Sequence, residues 1–165
     1  MNDSTLNVNN ASLDWRGHVL ANFPAFPFVL DGTALASVEG FVQGIKFPEH
    51  HRSRDAAFLS WGEVAKRLGS DAERISVWWN GVRIAYGSDE HHRLIARAIR
   101  AKFAFNEGAR LALKATAGLV LQHDIGPELP TTSLPAAVFC RILAELRDEL
   151  LQAGTIDRPT VGREV

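Results

Sequence analysis

The chain has 165 residues, 46% of them hydrophobic and 22% charged, with a formal net charge of −1. That is enough for one soluble globular domain with a sizeable core, and the near-neutral balance gives no global pull toward nucleic acid or anionic membrane, though a local patch stays open. No apolar run is long enough to span a bilayer, residues 1–10 lack the apolar region of a signal peptide, and Cys140, the only cysteine, excludes an internal disulfide and a cysteine-rich metal site, so a cytoplasmic protein is the expectation.

Residues 1–12 are polar and Asn-rich and read as a flexible tail, with the folded core running over about 13–153 and a second polar tail over 154–165. Residues 13–28 carry Trp15, Phe23, Phe26 and Phe28 together with Pro24 and Pro27, and the prolines argue for an irregular or short-strand segment rather than a helix. Asp31-Gly32 between two apolar runs is a hairpin signal. Ser37 then reads as the N-cap of a helix whose Val38, Phe41, Val42 and Ile45 share one face. Glu39, Gln43 and Lys46 fall at i, i+4 and i+7 and line a second face beside it. An acid, an amide and a base project together from the edge of a buried helix, with the carboxylate in the first turn, where the helix dipole favours its charge. Taken alone, the same features are more simply a cap, a dipole partner and a solvated edge.

Pro48 ends that helix. A short helix is expected over 52–59, and Ser60-Trp61-Gly62-Glu63 fits a capping box for the next, with Trp61, Val64, Ala65 and Leu68 as its apolar stripe and Gly69 just past its end. Asn80-Gly81 predicts a two-residue hairpin that pairs Trp79 with Val82, Val77 with Ile84 and Ile75 with Tyr86 on a buried face, and Trp78 with Arg83 on the other. Trp78 is then either stacked on its arginine or a platform for a base or sugar. Ser88 caps a long helix with Leu94, Ile95, Ala98, Ile99 and Phe103 inward and Arg93, Arg97 and Arg100 outward. Lys102 falls within the inward stripe, where a lysine either snorkels to an edge or lines a pocket. A further helix is expected over 106–116, a β-prone run over 119–124 ending in Asp124, and a last helix after Pro135 with Val138, Phe139, Ile142, Leu143, Leu146 and Leu150 as its apolar face, Cys140 being a small core residue. The sum is a mainly α, single-domain, helical bundle-like fold of about five or six helices with small β-hairpin elements.

Several chemistries lack their residues. There is no phosphate-binding loop, dinucleotide fingerprint, zinc-protease helix or nucleophile elbow. His50-His51 and His91-His92 are adjacent pairs whose rings diverge on a helix, so no metal site is expected. What remains is carboxylates, Glu39 and Asp124, which as a pair suit cleavage at a sugar's anomeric carbon. Lys46 and Lys102 are candidates to bind phosphate, and Phe23, Trp78, Trp79 and Tyr86 to stack on a base.

Four ordered pieces carry a resemblance. Leu20-Ala21-Asn22-Phe23, then Pro27-Phe28-Val29-Leu30-Asp31-Gly32, then the run from Ser37 to Phe47 resemble the opening of the NADAR (YbiA-like) family, L-S-N-F, P-F-x-x-D-G, S-x-E-H-x-x-Q-x-x-K. Ala98-Ile99-Arg100-Ala101-Lys102-Phe103-Ala104-Phe105-Asn106 looks like the family's A-L-x-x-K-F-x-Q-N, residues 111–124 like its L-L-x-T-G region, and Arg147-Asp148-Glu149-Leu150 like its closing V-R-E-E-L. Gly40 stands where the family has histidine, and residues 125–134 replace its D-x-x-W-G segment.

The resemblance implies a mostly helical domain that hydrolyses N-glycosidic bonds without a metal or cofactor. Its substrate would be ADP-ribosylated guanine in nucleic acid or a phosphoribosyl aminopyrimidine of riboflavin synthesis. It makes Glu39 the leading catalytic residue, with Lys46 and Asp124 beside it. Asn22, Phe23, Gln43, Trp78, Trp79, Tyr86, Lys102 and Asn106 are the substrate-binding candidates. The alternative is a non-catalytic ADP-ribose or nucleotide-binding sensor, and a third reading is a purely structural interaction domain.

Overall fold

In the computed structural model, which describes residues 4–156, the two hairpins form at the expected Asp-Gly and Asn-Gly pairs. Asp31 and Gly32 have φ of 47° and 81°, Asn80 and Gly81 of 50° and 76°, so both turns place two residues in the left-handed region that matches strand twist. Among the described residues the elements run β1 (Thr5–Asn7), α1 (Trp15–Leu20), β2 (Phe28–Leu30), β3 (Thr33–Leu35), α2 (Val38–Gly44), α3 (Arg52–Phe58), α4 (Gly62–Leu68), β4 (Ser76–Trp79), β5 (Val82–Ala85), α5 (Asp89–Phe105), α6 (Glu107–Lys114), β6 (Val120–Gln122) and α7 (Ala136–Ile156). Helix outweighs strand, 47% against 13%, so the mainly helical expectation holds in part, with three two-stranded sheets set among the helices.

The Asn80-Gly81 hairpin has the expected register. Its inner face is shorter than expected. Val77, Trp79 and Ile84 are buried, while Ile75 and Val82 at the ends are exposed. Asp31 ties the two hairpins to α5. It accepts from the Trp79 indole N–H at 2.7 Å, from Asn80 Nδ2 at 3.1 Å and from Arg97 at 2.6 and 2.8 Å. The Trp79 hydrogen bond, then the Arg97 guanidinium, hold its carboxyl below the usual carboxylate range.

Helix α2 lies among α3, α4 and α5 and fixes the rest. Val38, Phe41, Val42 and Ile45 are buried as their spacing predicts. Its approach to α3 is close enough to demand glycine. A Cβ on Gly40 would lie 2.4 Å from the Ala57 carbonyl oxygen and 2.5 Å from that of Ser60. Arg54, itself buried, crosses from α3 to donate to the carbonyls of Phe47 and Trp78, and its guanidinium lies 4.9 Å from the Phe58 ring centre.

Four expectations are corrected. Residues 5–8 belong to the folded body, since β1 pairs in parallel with β6 and Leu6 and Val8 are 3% and 0% exposed. The partner strand lies more than 110 residues away, and a three-residue strand is too short to show a period. Residues 1–3 and 157–165 of the expected tails lie outside the described residues, while α7 continues through residues 154–156. Residues 13–28 do contain a helix: Asp14 accepts from the Arg16 N–H at 2.9 Å and caps α1, which finishes before Pro24. The Ser60 capping box does not form. Ser60 Oγ donates back to the Ala56 carbonyl, Trp61 becomes the N-cap, and Trp61 and Val64 face solvent, leaving Ala65 as the buried residue of α4.

No helix of the described residues is long and apolar enough to cross a membrane. The pairing of β1 gives a direct test. Leu6→Ala is expected to lower stability by about 2–4 kcal/mol in urea unfolding, whereas a Leu6 in a flexible tail would leave the midpoint where it is.

Candidate active site

The site is built on the first two turns of α2. Ser37 Oγ accepts the Gly40 N–H at 2.8 Å and donates to the Ser60 carbonyl at 2.9 Å, so one hydroxyl caps α2 and anchors it beyond α3. The Glu39 N–H donates to the Asn22 carbonyl at 3.0 Å, which seats Asn22 beside the Glu39 turn. One turn on, Gln43 Nε2 donates to Glu39 Oε1 at 2.7 Å, and Gln43 Oε1 accepts from Lys46 Nζ at 2.6 Å. The acid, amide and base that share a helical edge in the sequence are thus joined in one chain.

Gln43 and Lys46 are 7% and 4% exposed, while Glu39 is half-buried. Gly69, just past α4, lets this chain close. A Cβ there would lie 2.0 Å from Gln43 Oε1 and 2.8 Å from Gln43 Cβ. Burial pushes the Glu39 carboxyl above its ordinary pKa, with the Gln43 hydrogen bond and the charges of Lys46 and Lys66 acting against it. Burial, then the charge of Arg74, pushes the Lys46 ammonium down to about 8, against the pull of Glu39.

Glu39, Gln43 and Val42 form one wall of a cavity of about 330 Å3. Asn22 and Phe23, which follow α1, form a second wall. Lys66 on α4 stands at its edge with Nζ 5.7 Å from the centre of the Phe23 ring. The opposite side comes from three segments that the sequence did not single out for it. Asn9 and Asn10 follow β1, His123 and Ile125 follow β6, and Thr132, Ser133 and Leu134 precede α7. A second hollow of about 500 Å3, reaching Trp61, shares Asn10 and Phe23 with the first.

Of the residues singled out in the sequence, Glu39, Asn22, Phe23 and Gln43 meet in this cavity. The others lie elsewhere. Lys46 stands behind Gln43. Lys102 is 1% exposed, and its Nζ donates to the Val19 and Ala21 carbonyls at 2.7 and 2.8 Å and lies 4.8 Å from the Phe26 ring centre. It neither snorkels nor lines the cavity but holds the backbone that leads into Asn22. Asn106 donates to the Pro27 and Lys102 carbonyls. Trp79 is buried against Phe41 and spends its N–H on Asp31, and Trp78 packs away from the cavity with its backbone joined to Ile45 and Arg54. Tyr86 reaches the site indirectly. Its hydroxyl donates to the Thr131 carbonyl and bonds Ser133 Oγ, both at 2.7 Å, and so fixes the loop that walls the cavity.

Asp124 is exposed, its carboxylate accepting from the Gly126 N–H and its carbonyl from Asn7 and Asn9. Strand alternation explains why. Leu121 is buried, so His123 follows it to the inner side and Asp124 points out with Gln122. Among the described residues no group of three or more His, Cys, Asp or Glu side chains is placed to hold a metal ion.

A family model described as bacteriophage protein GP30.3 matches residues 14–148. An uncharacterized 17.1 kDa protein from the Gp30-rIII intergenic region of Enterobacteria phage T4 is 34% identical over 142 residues, covering 82% of this chain and 93% of that protein. The chain belongs to the GP30.3 family, which is NADAR-like. The N-glycosidase YbiA of Escherichia coli K12 is 28% identical to this GP30.3-family chain over 118 residues, 71% of this chain and 68% of YbiA. The solved NMR structure of E. coli YbiA shares the fold, with a TM-score of 0.69 at 23% identity, covering 98% of this chain and 94% of that one. Against the NADAR pattern, the GP30.3-family chain has Gly40 for histidine because α2 meets the Ala57 and Ser60 carbonyls there, leaving no space for a side chain.

Lys102 links the site to stability. Burial pushes its ammonium down to about 7, below the ~10.4 of an unfolded lysine. Between those values the unfolded chain binds more protons, so stability rises with pH across that window. In thermal melts from pH 7 to 10, the wild type is expected to gain stability relative to Lys102→Met; parallel curves would show that Lys102 does not titrate in the folded chain.

Proposed function

We propose that this chain is an N-glycosidase acting on a ribosyl compound that carries phosphate. The observation that carries the reading is the Glu39 carboxyl, half-buried in the cavity wall, hydrogen-bonded by Gln43 and pushed by burial toward the range where a carboxylate is an effective base. In this reading Glu39 takes a proton from the water that attacks the anomeric carbon, and its charge stabilises the oxocarbenium-like transition state. Lys46 keeps the Gln43 amide polarised toward Glu39. Lys66, the exposed ammonium at the cavity edge, takes the phosphate role in place of Lys46 and Lys102, which are buried outside the cavity lining with their ammonium groups turned onto protein acceptors. Phe23 is the aromatic surface for the base, in place of Trp78, Trp79 and Tyr86.

The N-glycosidase named YbiA supports the reaction class. Of the two substrate classes, ADP-ribosylated guanine and phosphoribosyl aminopyrimidine, the larger is favoured by the hollow that continues past Phe23 to Trp61.

The test is a mass-spectrometric assay of wild type and Glu39→Gln with each substrate in turn. Wild type is expected to release base from one of them, and Glu39→Gln to lose about 10²–10⁴-fold in kcat with its melting temperature nearly unchanged. Equal rates in the two proteins would remove Glu39 from the mechanism. Binding of ADP-ribose by wild type without turnover of either substrate would replace the enzyme with a sensor.

A further inference from the structure

We infer that His123 is the acid that protonates the departing nitrogen, an inference that rests on the N-glycosidase reading and completes it. Loss of a nitrogen base leaves an electron pair on nitrogen, and the departure is slow unless a proton arrives with it. Glu39 is engaged in accepting a proton from water, so a second group has to donate one. Asp124, the other carboxylate, is turned away from the cavity.

His123 has the required placement. It lines the cavity with Glu39, one residue beyond β6. Its Nδ1 lies 2.5 Å from the Val8 carbonyl oxygen. A carbonyl only accepts, so Nδ1 carries hydrogen and the ring's second nitrogen, Nε2, is the one left for chemistry. No hydrogen bond to the described residues occupies Nε2. The ring is further fixed edge-on against Phe139, with centroids 5.1 Å apart and planes at 86°. Val8 itself is fully buried and bonded to β6 through its N–H and the Gln122 carbonyl. A backbone acceptor on one nitrogen, with the other unoccupied, is how a histidine is oriented for proton transfer.

The atoms balance. The bond from the anomeric carbon to nitrogen breaks with its electron pair passing to nitrogen, and the imidazolium Nε2–H gives its proton to that nitrogen. Water oxygen bonds to the anomeric carbon while Glu39 takes the water proton. Glu39 then returns that proton to His123 through solvent. The sum is one water consumed, one sugar hydroxyl and one N–H formed.

A purely structural His123 needs only its Nδ1, to hold β1 against β6. His123→Asn separates the roles, because the asparagine amide can reproduce the Nδ1 donor to Val8 and has nothing at Nε2. The experiment compares wild type and His123→Asn on whichever N-glycoside wild type cleaves and on the same ribosyl group carrying 4-nitrophenolate, which departs without a proton. His123→Asn is expected to lose about 100-fold or more in kcat on the N-glycoside and less than about tenfold on the nitrophenyl compound, with added imidazole restoring part of the loss in His123→Ala. Equal losses on both compounds, or no loss on either, would overturn the inference while leaving the glycosidase intact. Wild type inactive on both compounds would overturn the glycosidase reading, and this inference with it.

Discussion

The Gln43 amide is the interaction on which the rest of the site depends. It donates to Glu39 and accepts from Lys46, so it passes the influence of a buried cation to a half-buried carboxylate that the cation does not touch. Such a chain is stable only when every member is satisfied, because an unpaired buried amide costs more than a hydrogen bond contributes, and an unpaired buried ammonium more still. The surrounding fold meets that condition. Helix α2 is enclosed by α3, α4 and α5. Gly40 lets it approach the end of α3, and Gly69 leaves the space that Gln43 occupies. A helix set further out would let water into the chain and return Glu39 to an ordinary surface acid.

The cavity above this chain is assembled from distant parts of the sequence. Asn22 arrives through its carbonyl bond to Glu39, and the segment before it is held by Lys102. The opposite wall depends on the parallel pairing of β1 and β6, which brings Asn9, Asn10 and His123 to face α2, and on Tyr86, which fixes the loop before α7. Lys66 supplies an exposed positive charge at the edge and Phe23 a flat apolar face. Glu39 and Lys66 are therefore presented by helices and Phe23 by the segment that follows α1, while Ile125 and Thr132 to Leu134 line the far side.

Much of this was legible from local pattern. The two hairpins follow from Asx-Gly turns, and α2, α5 and α7 from apolar periodicity and caps at Ser37 and Ser88. Glu39 and Gln43 were legible as neighbours because i, i+4 spacing puts them on one helical edge, and Asn22 and Phe23 through the family resemblance. What failed needed tertiary information. Strand β1 has no pattern of its own and is defined by a distant partner. Lys102 sits in an apolar stripe, and nothing local says that its ammonium ends on two backbone carbonyls rather than in a pocket. Trp79 and Tyr86 are aromatic in the expected hairpin, yet their polar atoms are taken by Asp31 and by the Thr131–Ser133 loop. Lys66 reads in sequence as any solvated helical lysine. His123 did leave a signal: alternation from the apolar Leu121 puts it inward and Asp124 outward.

A hydrogen-bonded chain rooted in the core, from Lys46 through Gln43, thus bears on the protonation of Glu39. The most direct test of this is a carbon-13 NMR titration of the Glu39 carboxyl in wild type and in Gln43→Leu. The expected result is a pKa above the ordinary glutamate value in wild type, because burial dominates, and a further rise in Gln43→Leu, because the amide donor that favours the charged form is gone. An ordinary value in wild type that does not move in Gln43→Leu would contradict it, and would leave Glu39 a solvated carboxylate at the end of a helix.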